Sequence, residues 1–270
     1  MLLSLTHMDW LVGTGQKLIS VCGKEIPVYR FNHDVLDDEI MSAWARHFRR
    51  HYCSDKDLEY LITPGKTKPE YLLTEKFPDR AKSPGPSVRA GDFGEILIAD
   101  YLEFYRSYKV PRTRYDRKII CNESSKGSDV LGFKWAPGVI SPSDELVIFE
   151  VKVKATKSTE NTLQLAVDHS VKDETRLAES LNAMKQRLFD RQDHEGVELV
   201  KRFQNEPDQP YRRLYGAAAV LTGSSYSASV ISNSSTADHP NAKDLELIVI
   251  HADELMPLIH ALYERAANEA

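Results

Sequence analysis

Apolar and polar positions change rhythm several times along the chain, and each rhythm predicts an element. Residues 25–31 alternate as a short strand, and residues 37–52 change to helical spacing, with Ile40, Trp44 and Phe48 recurring on one face. Residues 63–86 are rich in Pro, Gly and Lys and are expected to be a linker. Residues 91–105 again read as a helix, with Asp92 as its expected N-cap. Three strands are expected next, over 117–121, 129–135 and 146–155, followed by a mainly helical stretch over 163–189 with Leu177, Leu181, Met184 and Leu188 on one face. Strands over 216–222 and 245–251, separated by a Ser-rich loop over 223–242, lead to a closing helix over 253–267. Helix, three strands, helix, strand is the order of a single α/β layer fold with a mixed sheet.

The chemistry concentrates in residues 146–154, Leu-Val-Ile-Phe-Glu-Val-Lys-Val-Lys. Side chains alternate across a strand, so Val147, Phe149, Val151 and Val153 share one face. Leu146, Ile148, Glu150, Lys152 and Lys154 share the other, which turns from apolar to charged halfway along. Alone, such a face is a half-exposed strand carrying charges. About 20 residues earlier, however, Asp129 opens a run of strand formers after Gly127, and an antiparallel neighbour would bring it to Glu150. Glu95 sits on the face of its helix that also carries Ile98 and Leu102. Its plainer reading is a carboxylate favoured by the helix dipole.

Carboxylates gathered at one point repel, by about 4 kcal/mol for two unit charges 4 Å apart at an effective dielectric of 20. A divalent ion removes that cost, and carboxylate oxygens suit Mg²⁺, with Mn²⁺ as an alternative. Such an ion polarises a phosphate and acidifies water, while a lysine on the same face stabilises charge in the transition state. Glu95, Asp129 and Glu150 as ligands, with Lys152 assisting, therefore share one rationale, phosphodiester hydrolysis.

Net charge is −5, which by itself argues against a nucleic-acid partner. Locally, residues 106–118 read RSYKVPRTRYDRK, and a phosphate backbone responds to such a patch because screening acts over about 8 Å. Arg112, Arg114, Arg117 and Lys118, with Lys154 and Lys157, are the expected contacts to a DNA backbone. Three separated cysteines form no metal-binding pair and suit a reducing compartment. The absence of a basic leader or a long apolar run points to a cytoplasmic protein that does not enter a membrane. Gln164, His169, His194 and His251 read as ordinary polar positions, residues 13–17 lack a full phosphate loop, and the serines near 223–235 form no nucleophile elbow.

These residues resemble the PD-(D/E)xK nuclease superfamily. Asp129 matches its first acid, Glu150 and Lys152 match its (D/E)xK, and Glu95 matches a helix acid found in many members; Ser128 stands where Pro often precedes the first acid. A narrower resemblance, carried by RAGDFGE (89–95), KGSDVLG (126–132) and residues 146–154, is to the HamA family, the nuclease subunits of Hachiman antiphage defence. The resemblance implies a restriction-endonuclease-like α/β core, a central mixed sheet flanked by helices, over residues 87–270. Residues 1–86 would be a mixed N-terminal elaboration suited to binding a partner. It also implies a DNA-degrading effector that works with, and is restrained by, a HamB-like superfamily 2 helicase. The rivals are a restriction or repair endonuclease of the same fold and a non-catalytic DNA-binding assembly subunit.

Overall fold

The computed structural model describes residues 6–136 and 138–270. After a 3-10 turn at Thr6–Trp10 come strands β1 (Leu11–Ile19) and β2 (Glu25–Phe31), then helices α1 (Asp38–Tyr52), α2 (Asp55–Leu61), α3 (Lys68–Tyr71) and α4 (Gly85–Asp100). Strands β3 (Val130–Lys134) and β4 (Glu145–Lys154) precede helices α5 (Thr162–Ser170), α6 (Asp173–Asp190) and α7 (His194–Gln204). The chain closes with β5 (Arg212–Thr222), α8 (Ala228–Ser232), β6 (Leu245–Ala252) and α9 (Leu255–Asn268).

The six strands form one mixed sheet in the order β1-β2-β6-β5-β4-β3. β2, β6, β5 and β4 run parallel, and the two outer strands, β1 and β3, are antiparallel to their neighbours. Alternation along the strands divides the core. Val147, Phe149, Val151, Ala218 and Val220 face α1, α4 and α9. Leu146, Ile148, Ala217, Ala219 and Leu247 face α5, α6 and α7. This is the expected α/β fold with a restriction-endonuclease-like core. Residues 6–86 build onto the same sheet, with β2 beside β6 and α1 packed on α9. The outer edge of β1 is mostly exposed, and its register shifts between Gly13 and Lys17.

Several local expectations need correction. Residues 117–121 form no strand: Ile119 is 93% exposed, and Lys118 turns inward to the buried Asp92. The expected linker over 63–86 is ordered structure: Thr67 and Glu70 form a reciprocal capping box that starts α3, and Leu72 and Phe77 are fully buried. α4 begins at Gly85, with Pro86 in its first turn, so Asp92 lies inside the helix and caps nothing. The helical stretch after residue 162 breaks into α5 and α6, and the Ser-rich loop contains α8. β1 carries no periodic signal in the sequence, because a strand with six consecutive exposed residues shows no alternation.

Close packing of β4 on β5 supports the segment that carries Glu150. A Cβ on Gly216 would fall 2.4 Å from the ring of Phe149, which is fully buried across the strand pair. Gly216→Ala is expected to cost about 1–3 kcal/mol by overpacking, lowering the calorimetric melting temperature by roughly 2–10 °C. An unchanged melting temperature would show that the two strands yield freely at this point.

Candidate active site

The pairing of β3 with β4 sets Val130 opposite Phe149 and Leu131 opposite Ile148. One step further along that register, Asp129 falls opposite Glu150, and both side chains take the face that α5 and α6 cover. β3 begins only there, whereas β4 runs on to Lys154. Beyond Glu150 the strand has β5 on one side and no strand on the other, so the sheet opens at this end. Asp129 tucks one carboxylate oxygen under that opening, where Oδ2 accepts from the Val151 N–H at 3.0 Å. Ala217 and Ala219 stand beside Glu150 and Lys152 on β5, small enough to let α5 lie close. The Lys152 ammonium donates to Glu150 Oε1. The Glu150 carboxyl is pushed above its ordinary value, first by burial and then by the Asp129 charge, against the pull of Lys152.

Glu95 comes from α4, on the other side of this opening. Its Oε2 accepts from the Tyr115 hydroxyl and lies 2.5 Å from Arg114 Nε, an ion pair without hydrogen-bond alignment. The same guanidinium donates to Asp129 Oδ1 at 2.9 Å and to the carbonyls of Ser125 and Ser128. Arg114 is thus set between two of the expected acids. Burial lifts the Glu95 carboxyl to about 8, aided by Asp129 and Asp92 and opposed by Arg114. A small cavity of about 70 Å³ adjoins Glu95, Arg114 and Asp129 and runs towards His51.

A further acid, Asp173, belongs to this neighbourhood and was not singled out in the sequence. It opens α6, is fully buried and stands at about 7, raised by burial and then by the charges of Glu150 and Asp129. In the sequence it looks like any first-turn acid favoured by a helix dipole, so no local signal separates it from Glu174. His169, on the last turn of α5, lies with Nδ1 3.7 Å from Glu150 Oε1. Gln164 serves the fold, accepting from the Ser235 N–H and donating to Asp168.

The basic residues divide into two groups. Arg112 pairs with Asp100 and Glu103, Arg114 with Glu95 and Asp129, and Lys118 with Asp92 at 2.6 Å with both side chains only 4% exposed. Arg117 is exposed and loosely paired with Asp190 at 3.4 Å, Lys154 reaches Glu160, and Lys157 is exposed. Only this second group faces outward. Among the described residues, the one trio of ligand-type atoms lying within 4.8 Å of one another is His47, His51 and Asp100. A cation already occupies it, because Arg112 donates to His51 Nε2 at 2.7 Å and reaches Asp100 Oδ1 at 2.7 Å. His7 adds a contact to the other Asp100 oxygen, so this is a closed charge network within the fold. Glu95, Asp129 and Glu150 are held further apart, with Arg114 between the first two.

No curated protein matches the chain. A family model described as HamA matches residues 7–266, taking in the sheet, α4, the Asp129 turn and all of β4. The chain therefore belongs to the HamA family, a component of the multi-subunit Hachiman antiphage defence system.

Proposed function

We propose that this chain is a divalent-metal-dependent deoxyribonuclease, the PD-(D/E)xK effector of its system, acting with a superfamily 2 helicase that restrains it. The observation that carries the reading is the meeting of Asp129, Glu150 and Lys152 on one face, at the place where β4 outruns β3. The donor chemistry fits a hard cation such as Mg²⁺ or Mn²⁺: the site is built of carboxylates, and burial, with repulsion among them second, raises Glu150 and Asp173. When bound, that ion supplies Lewis acidity to the phosphate and a more acidic water.

The chain's own residues do the rest. Asp129, just before β3, and Glu150, on β4, would hold the ion, and the Val151 N–H fixes the Asp129 carboxylate in place. Lys152, held over Glu150, presents a positive charge to the phosphate oxygens as negative charge builds on them. Arg114 holds both Glu95 and Asp129, so Glu95 would join the ligand set, and Asp129 Oδ1 would be freed, only once Arg114 gives them up; the arrangement is that of a resting site. Arg117, Lys154 and Lys157 offer sequence-independent contacts to a DNA backbone.

Plasmid cleavage in Mg²⁺ by the chain reconstituted with its helicase is expected to vanish with EDTA. Glu150→Ala and Lys152→Ala should each lose at least about 10²-fold in rate, the usual cost of deleting one transition-state contact. Wild-type rates in both variants would assign the chemistry elsewhere and leave the chain a non-catalytic subunit.

A second expectation concerns pH. Glu95 stands at about 8 and Asp173 at about 7 in the folded chain, against about 4 for a carboxyl in an unfolded one. The folded state therefore binds more protons than the unfolded state across that interval. The resulting stability is fully present below the unfolded value and is lost as pH rises through the folded ones. In EDTA these groups should make the melting temperature fall between about pH 5 and pH 8, and saturating Mg²⁺ should blunt that fall. A melting temperature that climbs over this range in EDTA would contradict the charge arrangement described.

A further inference from the structure

Five acids among the described residues are buried: Asp92, Asp100, Asp144, Glu150 and Asp173. Four have a cation of their own, in Lys118, Arg112, Arg202 and Lys152 respectively. Asp173 has none. Its side chain is 0% exposed, and neither carboxylate oxygen has a hydrogen-bond partner among the described residues. Ser128 is close enough to ease its charge, but no aligned hydrogen bond forms. Burying an ionised carboxylate without a partner is strongly unfavourable. The favourable field at the N-terminus of α6 does not offset that cost.

The surroundings show what Asp173 faces. α5 covers β4 and β5 on the Glu150 side and ends at Ser170, so the corner into α6 delivers Asp173 beside the site. His169, four residues before it, is already 3.7 Å from Glu150 Oε1. α6 then crosses the turn that carries Asp129: the Ser128 N–H donates to Ser180 Oγ at 3.0 Å. Gly127, with φ +95°, leaves no room for a side chain there, since a Cβ would meet Ser180 Oγ at 2.9 Å. Asp173 is therefore buried beside the site, near enough for the charges of Glu150 and Asp129 to raise it, although its oxygens and theirs do not all lie within 4.8 Å of one another in this arrangement.

We propose that Asp173 is a ligand of the divalent ion, completing with Asp129 and Glu150 a carboxylate set from which Arg114 withholds Glu95. The inference rests on the metal-dependent reading above and extends it by one residue. It also accounts for the orphaned oxygens, because a cation is the partner they lack.

The experiment is Mn²⁺ binding by isothermal titration calorimetry on the purified full chain, paired with melting curves in EDTA. Asp173→Asn should weaken Mn²⁺ binding at least tenfold while melting in EDTA at or above the wild-type temperature, since an uncompensated charge has been removed. Glu150→Gln serves as the reference for loss of the ion. If Glu150→Gln loses Mn²⁺ and Asp173→Asn keeps wild-type affinity, Asp173 is no ligand and the metal reading stands without it. If the wild type binds no Mn²⁺, both fall together. Asp173→Ser, smaller and neutral, is the companion variant. Should both neutral variants melt well below wild type in EDTA, the acid serves the fold and the proposal is overturned.

Discussion

Helix α4 turns three acids toward the interior, Asp92, Glu95 and Asp100, and the segment after it lies back along the helix with Lys118, Arg114 and Arg112 to meet them. The pairs run in opposite chain order, so the segment is laid down antiparallel to α4 by charge instead of by a backbone ladder. Breaking one such buried pair leaves a lone charge and typically costs about 3–5 kcal/mol. This register of charges decides where residues 106–129 go, and hence where Asp129 arrives. Tyr115 and Tyr52 reinforce it, donating to Glu95 and Asp92 from a stacked aromatic pair. The site at the end of β4 is thus fastened to α1 and α4 through ionic contacts that a sheet alone would not supply.

That dependence explains what could be read in advance and what could not. β4 was legible because its face turns from Leu146 and Ile148 to Glu150 and Lys152, a change that alternation exposes directly. α1 was legible from Trp44 and Phe48, both fully buried as their spacing implies. The basic run over 106–118 misled, since composition reports charge but not direction, and the partners of Arg112 and Lys118 lie 9 to 61 residues away in the chain. The strand expected over 117–121 failed for the same reason: local β propensity gave way to tertiary ion pairing. Asp173 had no local signature at all. Its isolation appears only when every buried acid is matched with a cation.

On the proposed reading, the arrangement is a nuclease at rest. Arg114 neutralises Glu95 and Asp129 while Lys152 neutralises Glu150, which makes a dense set of acids tolerable in the folded chain. A bound ion would have to compete with those internal cations, and that competition gives a partner subunit something to tip. The lever would be the 106–129 segment, whose irregular backbone has few ladder bonds to break. The HamA family belongs to a multi-subunit defence system.

At the far side of the sheet, β1 leaves a margin that is mostly exposed and out of register between Gly13 and Lys17. A bulged border of this kind is a poor template for another strand, because its unpaired amides and carbonyls no longer lie in a straight row. Copies of the chain brought close together would therefore not zip into a continuous fibre from that side. Growth of the sheet stops with the first strand.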